Sequence, residues 1–162
     1  NKAKPNLKIS DPACGSGSFL IWAYNYLLGL YLGEHSKKAA SLLKQKNAPI
    51  YERSNGVYAL TTSERKRILL EHIYGVDIDE QAVEVAKLNL MLKCLEGEAG
   101  TNLKLSVERI LPDLSDNIKC GNSLIGHDFN DGLLAEDEQK KINPFDWNSE
   151  FQIGRASCRE KG

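Results

Sequence analysis

Asp11-Pro12-Ala13-Cys14-Gly15-Ser16-Gly17-Ser18-Phe19-Leu20 is the stretch on which the reading of the fold turns. Before it, Leu7-Lys8-Ile9-Ser10 reads as a short strand. After it, residues 19–32 place Phe19, Leu20, Trp22, Ala23, Tyr26, Leu27, Leu30 and Tyr31 at helical spacing, which predicts a buried core helix. Strand, tight loop and helix open a βαβ unit. Gly15 and Gly17 permit positive φ and allow a ligand to lie directly on the backbone. The helix start behind them offers unpaired N–H groups. Asp11 sets a carboxylate at the mouth of the loop, which disfavours a phosphate and favours a ligand carrying an ammonium group. Leu20 stands where the dinucleotide fingerprint wants its third glycine, and the Lys-Ser/Thr pair of the nucleotide-triphosphate loop is absent.

Working outward, residues 34–46 read as a second, more polar helical stretch. Residues 47–60, with Pro49, Asn55 and Gly56, read as a loop or short hairpin. Thr61 and Glu64 fit a capping box that opens a basic helix carrying Arg65, Lys66 and Arg67, with Ile68, Leu69 and Ile73 facing inward. A basic run of this kind is either a solvated helix face or a contact to nucleic-acid backbone. Ile73-Tyr74-Gly75-Val76-Asp77 reads as a buried strand ending in an acid. Asp79 then caps a helix over residues 80–95, on which Val83, Ala86, Leu90 and Cys94 repeat at three- and four-residue steps. Residues 101–115 are ambiguous between element types. Residues 117–122 predict a third strand, and an acidic, weakly patterned segment runs from there to Gln152.

Strand, helix, strand, helix, strand predicts a parallel α/β sheet with right-handed crossovers, and ligands of such sheets bind at the carboxyl ends of the strands. Three sequence features fall there. The glycine loop is the first. The second is Asp77-Ile78-Asp79: Asp77 closes the strand and suits a ribose diol, Asp79 suits helix capping, and Ile78 lies against an adenine ring or belongs to the core. The third is Cys120-Gly121-Asn122, where the Asn122 amide can meet an adenine edge with both a donor and an acceptor, or is a turn residue after glycine.

Composition limits the alternatives. The 162 residues are 41% hydrophobic and 27% charged, enough for one domain with a real core, and the net charge of −1 gives no global basic field. The four cysteines (Cys14, Cys94, Cys120 and Cys158) have no paired metal-like spacing and there are three histidines, so a metal site is not expected and the thiols read as reduced and cytoplasmic. The opening residues are polar and do not read as a secretory signal, and residues 19–32 are too short for the ~20 apolar residues of a membrane span. Residues 153–162 lack periodicity and turn chemistry and resemble a translated sequencing adapter. They are set apart as a non-native tail, leaving residues 1–152 as the domain. With the glycine loop so near its start, the chain reads as the interior of a larger protein.

Together, Asp11 to Leu20, Tyr74 to Asp79 with the helix that follows, and Ile118 to Gly126 resemble motifs I, II and III of S-adenosylmethionine-dependent DNA methyltransferases acting on the exocyclic amine of adenine. The type IIG restriction–modification enzymes are the nearest group, and they share the insertion, expected to be helical over about residues 33–70, that a minimal βαβ unit lacks. The resemblance implies a partial Rossmann-like methyltransferase fold made of its first three parallel strands and their helices. It implies S-adenosyl-L-methionine as cofactor. Asp11 and the backbone of Ala13, Cys14, Gly15 and Gly17 would hold the methionine part, Asp77 the ribose hydroxyls, Ile78 the adenine face and Asn122 the adenine amine. Double-stranded DNA would be met through other parts of the protein. The family's Asn/Asp-Pro-Pro-Tyr/Phe motif is absent. Asn143-Pro144-Phe145-Asp146 has one proline and no aromatic at the last position, so no catalytic residue is assigned. The family's sheet would also leave the first strand as an unpaired edge, a hazard for solubility. A nicotinamide-dependent oxidoreductase is the rival enzyme. It fails on the third glycine and on spacing, since the acid arrives about 60 residues after the loop instead of about 20. A non-catalytic cofactor-binding or subunit-docking module is the rival from another class.

Overall fold

The computed structural model describes residues 7–96, 111–126 and 141–151. A parallel sheet of three strands forms the centre, in the order β1 (Ile9–Asp11), β4 (Ile73–Asp77), β5 (Ile118–Cys120). Ile9 faces Ile73, Asp11 faces Gly75, Gly75 faces Ile118 and Asp77 faces Cys120. Among the described residues, β1 pairs with a strand on one side only. Between β1 and β4 come α1 (Ser18–Ser36), a single turn α2 (Ala39–Leu42), an antiparallel hairpin β2 (Ile50–Ser54) and β3 (Val57–Leu60), and α3 (Thr62–His72). After β4 come α4 (Glu80–Leu95), then β5, and finally a short helix α5 (Trp147–Phe151). The insertion expected as helical is therefore mixed. Its polar stretch holds one turn of helix, and Asn55 and Gly56, both at positive φ (43° and 81°), make the two-residue turn of a hairpin.

Alternation along β4 divides the core. Ile73 belongs to a cluster with Leu20, Ala23, Leu27, Ile68, Leu69, Val83, Ala86 and Leu90, supplied by α1, α3 and α4. Gly75 shares that face: a Cβ there would stand 2.8 Å from Leu20 Cδ1 and 3.1 Å from the Cys14 sulfur. Tyr74 and Val76 point the other way, into a second cluster with Phe145 and Phe151 that Trp147 flanks. The period of two along a strand thus separates a helical layer from an aromatic one.

Helix α1 corrects the reading of a fully buried helix. It runs four residues past Leu32 and buries one face only, through Leu20, Ala23, Tyr24, Leu27 and Leu28. Phe19, Trp22 and Tyr26 stack on the opposite face with centroids 6.3 and 6.0 Å apart, and all three are more than half exposed. The capping box on α3 is half formed. Thr61 Oγ1 accepts from the Glu64 N–H at 3.3 Å, while the Thr61 N–H donates to Pro49 O instead of to the glutamate. Glu64 turns inward. Its carboxylate accepts from Arg67 at 2.6 and 2.8 Å and pairs with His35 Nε2 at 2.9 Å. Burial alone would raise this carboxyl, but the bonds from Arg67 and His35 outweigh it and hold the pKa at about 2.

Two buried polar side chains tie the sheet to its surroundings. His72 Nδ1 lies 2.5 Å from Leu7 O and its Nε2 2.7 Å from the Tyr31 hydroxyl. A carbonyl only accepts, so Nδ1 carries the proton and Tyr31 donates to Nε2. Asn117 Nδ2 donates to Leu70 O and Ile73 O, and its main-chain carbonyl accepts from the Gly75 N–H, joining the start of β5 to that of β4. Most of the ambiguous 101–115 stretch, Cys158 and the 153–162 tail lie outside the described residues.

Candidate cofactor site at the strand ends

The register steps the strands so that β4 reaches two residues beyond the position facing Asp11, and Asp77 emerges between the glycine loop and β5. The Asp77 carboxylate holds both flanking turns. Its Oδ2 accepts from the Gly15 N–H at 2.7 Å and its Oδ1 from the Asp79 N–H at 3.0 Å. Asp79 caps α4 by accepting from the Gln81 N–H at 2.9 Å, the capping role the sequence suggested for it.

The loop is tied down at each residue that the reading singled out. The Ala13 N–H donates to Asp11 Oδ1 at 3.1 Å, the Cys14 N–H to Val76 O at 2.9 Å and the Gly17 N–H to Cys14 O at 2.8 Å. Asn89 Nδ2 on α4 donates to Ser16 O at 3.0 Å. Four of the loop's amides (Ala13, Cys14, Gly15 and Gly17) therefore already serve the protein. The two glycines differ. Gly15, at φ +52°, has open space where a side chain would stand, which fits a ligand lying over it. Gly17, at φ +84°, would drive a Cβ to 3.2 Å from that of Ala86, so it secures the packing of loop against α4.

Cys14 points inward. Burial, with Asp77 and Asp11 adding repulsion, pushes its thiol up to about 11, so the side chain is a neutral packing group and only its backbone borders the site. Ile78 stands 60% exposed beside Asp77 and offers an apolar platform. Cys120 Sγ donates to Ile78 O at 3.5 Å. Partial burial and the neighbouring Glu80, Asp77 and Asp79 raise that thiol too. Asn122 lies at the end of β5, where its Oδ1 accepts from the Leu124 N–H at 3.2 Å and its own N–H donates to Asn143 O at 2.6 Å. The site residues Asp11, Ala13, Cys14, Gly15, Gly17, Asp77, Ile78 and Asn122 thus come from the carboxyl ends of the three neighbouring strands.

The sequence reading missed the Asn143-Pro144-Phe145 segment as a neighbour of this site. Pro144 bridges to Asn122 in parallel fashion, extending β5, and the Phe145 N–H donates to Ile125 O at 2.8 Å. Phe145 sits under Gly121, where a Cβ would lie 2.7 Å from its ring. The clue available was the aromatic series Phe145, Trp147, Phe151, diluted by polar neighbours. The basic run of α3 is structural. Arg65 donates to Cys94 O and Lys93 O at the end of α4, Lys66 to Leu111 O, and Arg67 to Glu64 and Glu71. A groove of about 600 Å³ between α1 and the hairpin, lined by Leu28, Tyr51, Tyr58 and Arg65, shares no residue with the strand-end site. Among the described residues no group of His, Cys, Asp and Glu side chains can hold a metal ion, and no helix is long and apolar enough to cross a membrane.

A glycine loop on a parallel sheet, an acid closing the second strand and an amide after the third define a Rossmann-like methyltransferase fold, present here in part. The chain belongs to the family of the MmeI DNA-methyltransferase domain, whose model matches residues 2–149. It is 36% identical over 149 residues to the type II restriction enzyme and methyltransferase RM.Eco57I of Escherichia coli, covering 91% of this chain and 14% of that protein. It is 40% identical over 120 residues to the putative type II restriction enzyme and methyltransferase RM.MjaORFECS2P of Methanocaldococcus jannaschii, covering 74% of this chain and 9% of the relative. DNA methyltransferase A of Bacillus subtilis is 31% identical over 123 residues, 73% of this chain and 12% of its own. The chain therefore spans a small part of the curated relatives it matches.

Proposed function

We propose that this chain is the cofactor-binding portion of an S-adenosyl-L-methionine-dependent enzyme that methylates the exocyclic amine of adenine in double-stranded DNA, within a cytoplasmic restriction–modification system. The observation that carries the reading is the Asp77 carboxylate, clamped between the Gly15 and Asp79 amides at the end of β4, with Gly15 open on one side and Ile78 exposed on the other. Each Asp77 oxygen accepts one backbone N–H and keeps a lone pair for a ribose hydroxyl. Asp11 Oδ1 holds the Ala13 amide, and its second oxygen has no hydrogen-bond partner among the described residues. That free oxygen suits an α-ammonium group. Gly15 lets the chain of the ligand pass without a Cβ in its way, Ile78 gives a purine an apolar face, and Asn122 closes the far end. The cofactor supplies a methyl group already activated on a sulfonium. The protein's task is thus placement of amine, methyl and sulfur in line, with no metal required.

Family membership and the relatives' names support methyl transfer and restriction–modification. Adenine as the base, and S-adenosyl-L-methionine as the donor, rest on the three motifs. Because no Asn/Asp-Pro-Pro-Tyr/Phe string occurs in the 162 residues, these residues alone are expected to transfer no methyl group. Isothermal titration of the chain with S-adenosylhomocysteine tests the reading. Saturable 1:1 binding that Asp77→Ala weakens at least tenfold supports it, and no binding by the wild type refutes it. N6-methyladenine formed by these residues alone, above a vector control, would refute the division of labour.

A further inference from the structure

We propose that Asn143 is a further specificity-determining residue of this site, a second amide that reads the purine edge of the cofactor beside Asn122. The inference rests on the function proposed above. Asn143 is brought to the site by main-chain bonds that its own side chain does not make: its carbonyl accepts from the Asn122 N–H, Pro144 bridges to Asn122, and the Phe145 N–H donates to Ile125 O. Phe145, buried under Gly121 and against Tyr74, Trp147 and Phe151, anchors the segment from below. The Asn143 backbone is left-handed, at φ +48°, a conformation asparagine tolerates better than most residues. Its side chain is thereby turned back along β5. There Nδ2 reaches Cys120 Sγ at 3.6 Å, and the same sulfur donates to Ile78 O at 3.5 Å. The amide is thus linked through one sulfur atom to the backbone of the residue that offers the purine its apolar face.

The chemistry favours Asn143 over Asn122 for an amine. Asn122 Oδ1 already accepts the Leu124 N–H. Asn143 Oδ1 has no partner among the described residues, and only one of its two amide hydrogens meets the thiol. An acceptor and a donor side by side match the 6-amino group and N1 of adenine. Asn143-Pro144 therefore contributes to the cofactor side of the site, although it does not match the family's catalytic string.

The test compares two ligands on the full chain: S-adenosylhomocysteine and its analogue with hydrogen in place of the 6-amino group. The variant is Asn143→Gly, because glycine keeps the left-handed backbone and the main-chain bonds to Asn122 while removing the amide. In a Trp22→Phe background, emission from Trp147, which packs on Phe145 at 5.4 Å, reports whether the segment stays in place. We expect the wild type to prefer the amino compound roughly five- to tenfold, the size of one net hydrogen bond. Asn143→Gly should remove that preference, weakening the amino compound about five- to tenfold more than the deaminated one, which keeps N1 and loses that bond alone. An unchanged preference, or an equal loss for both ligands, overturns the role of Asn143 and leaves the proposed function standing. Binding of neither ligand by the wild type overturns both.

Discussion

Gly121→Ala is the sharpest probe of how the aromatic layer meets the site. The new Cβ would stand 2.7 Å from Phe145 Cδ2 and 3.0 Å from its Cβ, against the 3.4 Å at which ordinary contact begins. Relief needs a movement of about 0.7 Å in a close-packed region. Gly121 cannot yield easily, because its N–H is bound to Asp77 O at 2.8 Å. Phe145 cannot either, because its N–H is bound to Ile125 O and its ring lies 4% exposed among Trp147 and Phe151. Overpacking of this kind costs about 1–3 kcal/mol. Trimming the ring by Phe145→Leu costs a comparable amount alone, through lost burial. The two should not add, since leucine removes the atoms the new methyl strikes. A coupling of about 1–2 kcal/mol is expected in the double-mutant cycle. Urea denaturation of the four proteins, followed by tryptophan emission, measures it. Strict additivity would show that Phe145 does not sit under Gly121, and the seat assigned to Asn143 would fall with it.

Three further outcomes are expected. Glu64 has a pKa of about 2 in the folded chain against the 4.5 of an unperturbed glutamate, so it adds stability fully above pH 4.5 that is lost as pH falls toward 2. Glu64→Gln should flatten the acid limb of a stability-versus-pH curve by roughly 2–3 kcal/mol, and an unchanged limb would discount the Arg67–His35 pair. Thr61→Ala removes the α3 cap and should cost about 0.5–2 kcal/mol in the same urea assay, whereas Thr61→Asp should cost far less. A thiol reagent at neutral pH should label exposed Cys120 well before buried Cys14 and Cys94. Equal rates by mass spectrometry would mean that the loop opens readily.

The sequence carried the parallel order of the strands because each element there had a local signal. A buried stretch with a closing acid marked β4, and the Asp79 cap with apolar steps through Val83, Ala86, Leu90 and Cys94 marked α4. It also separated Asp77 from Asp79, because a cap directly precedes its helix and a strand-end acid does not. What stayed hidden depends on distant partners. The Phe19-Trp22-Tyr26 face is as apolar as the buried one, so periodicity alone could not say which side of α1 meets the sheet. Arg65 looked like a solvated charge until α4 brought two carbonyls to it. Asn117 and Asn143 have no local pattern at all, since their roles arise only once β4 and β5 lie side by side.

One bond described above separates geometry from chain length. The Gly15 N–H and the Asp77 carboxylate are 62 residues apart in sequence yet 2.7 Å apart in space, and the Cys14 N–H to Val76 O bond runs alongside. Everything between them, from α1 through α2, the hairpin and α3 to β4, is a closed loop whose ends are fixed locally. Closing such a loop costs only about 0.6 kcal/mol more for each doubling of its length. The hairpin can therefore be lengthened, shortened or exchanged without disturbing the two contacts that shape the site. In this chain the 62-residue interval between the glycine loop and its acid measures what has been inserted, and the strand pairing sets the distance.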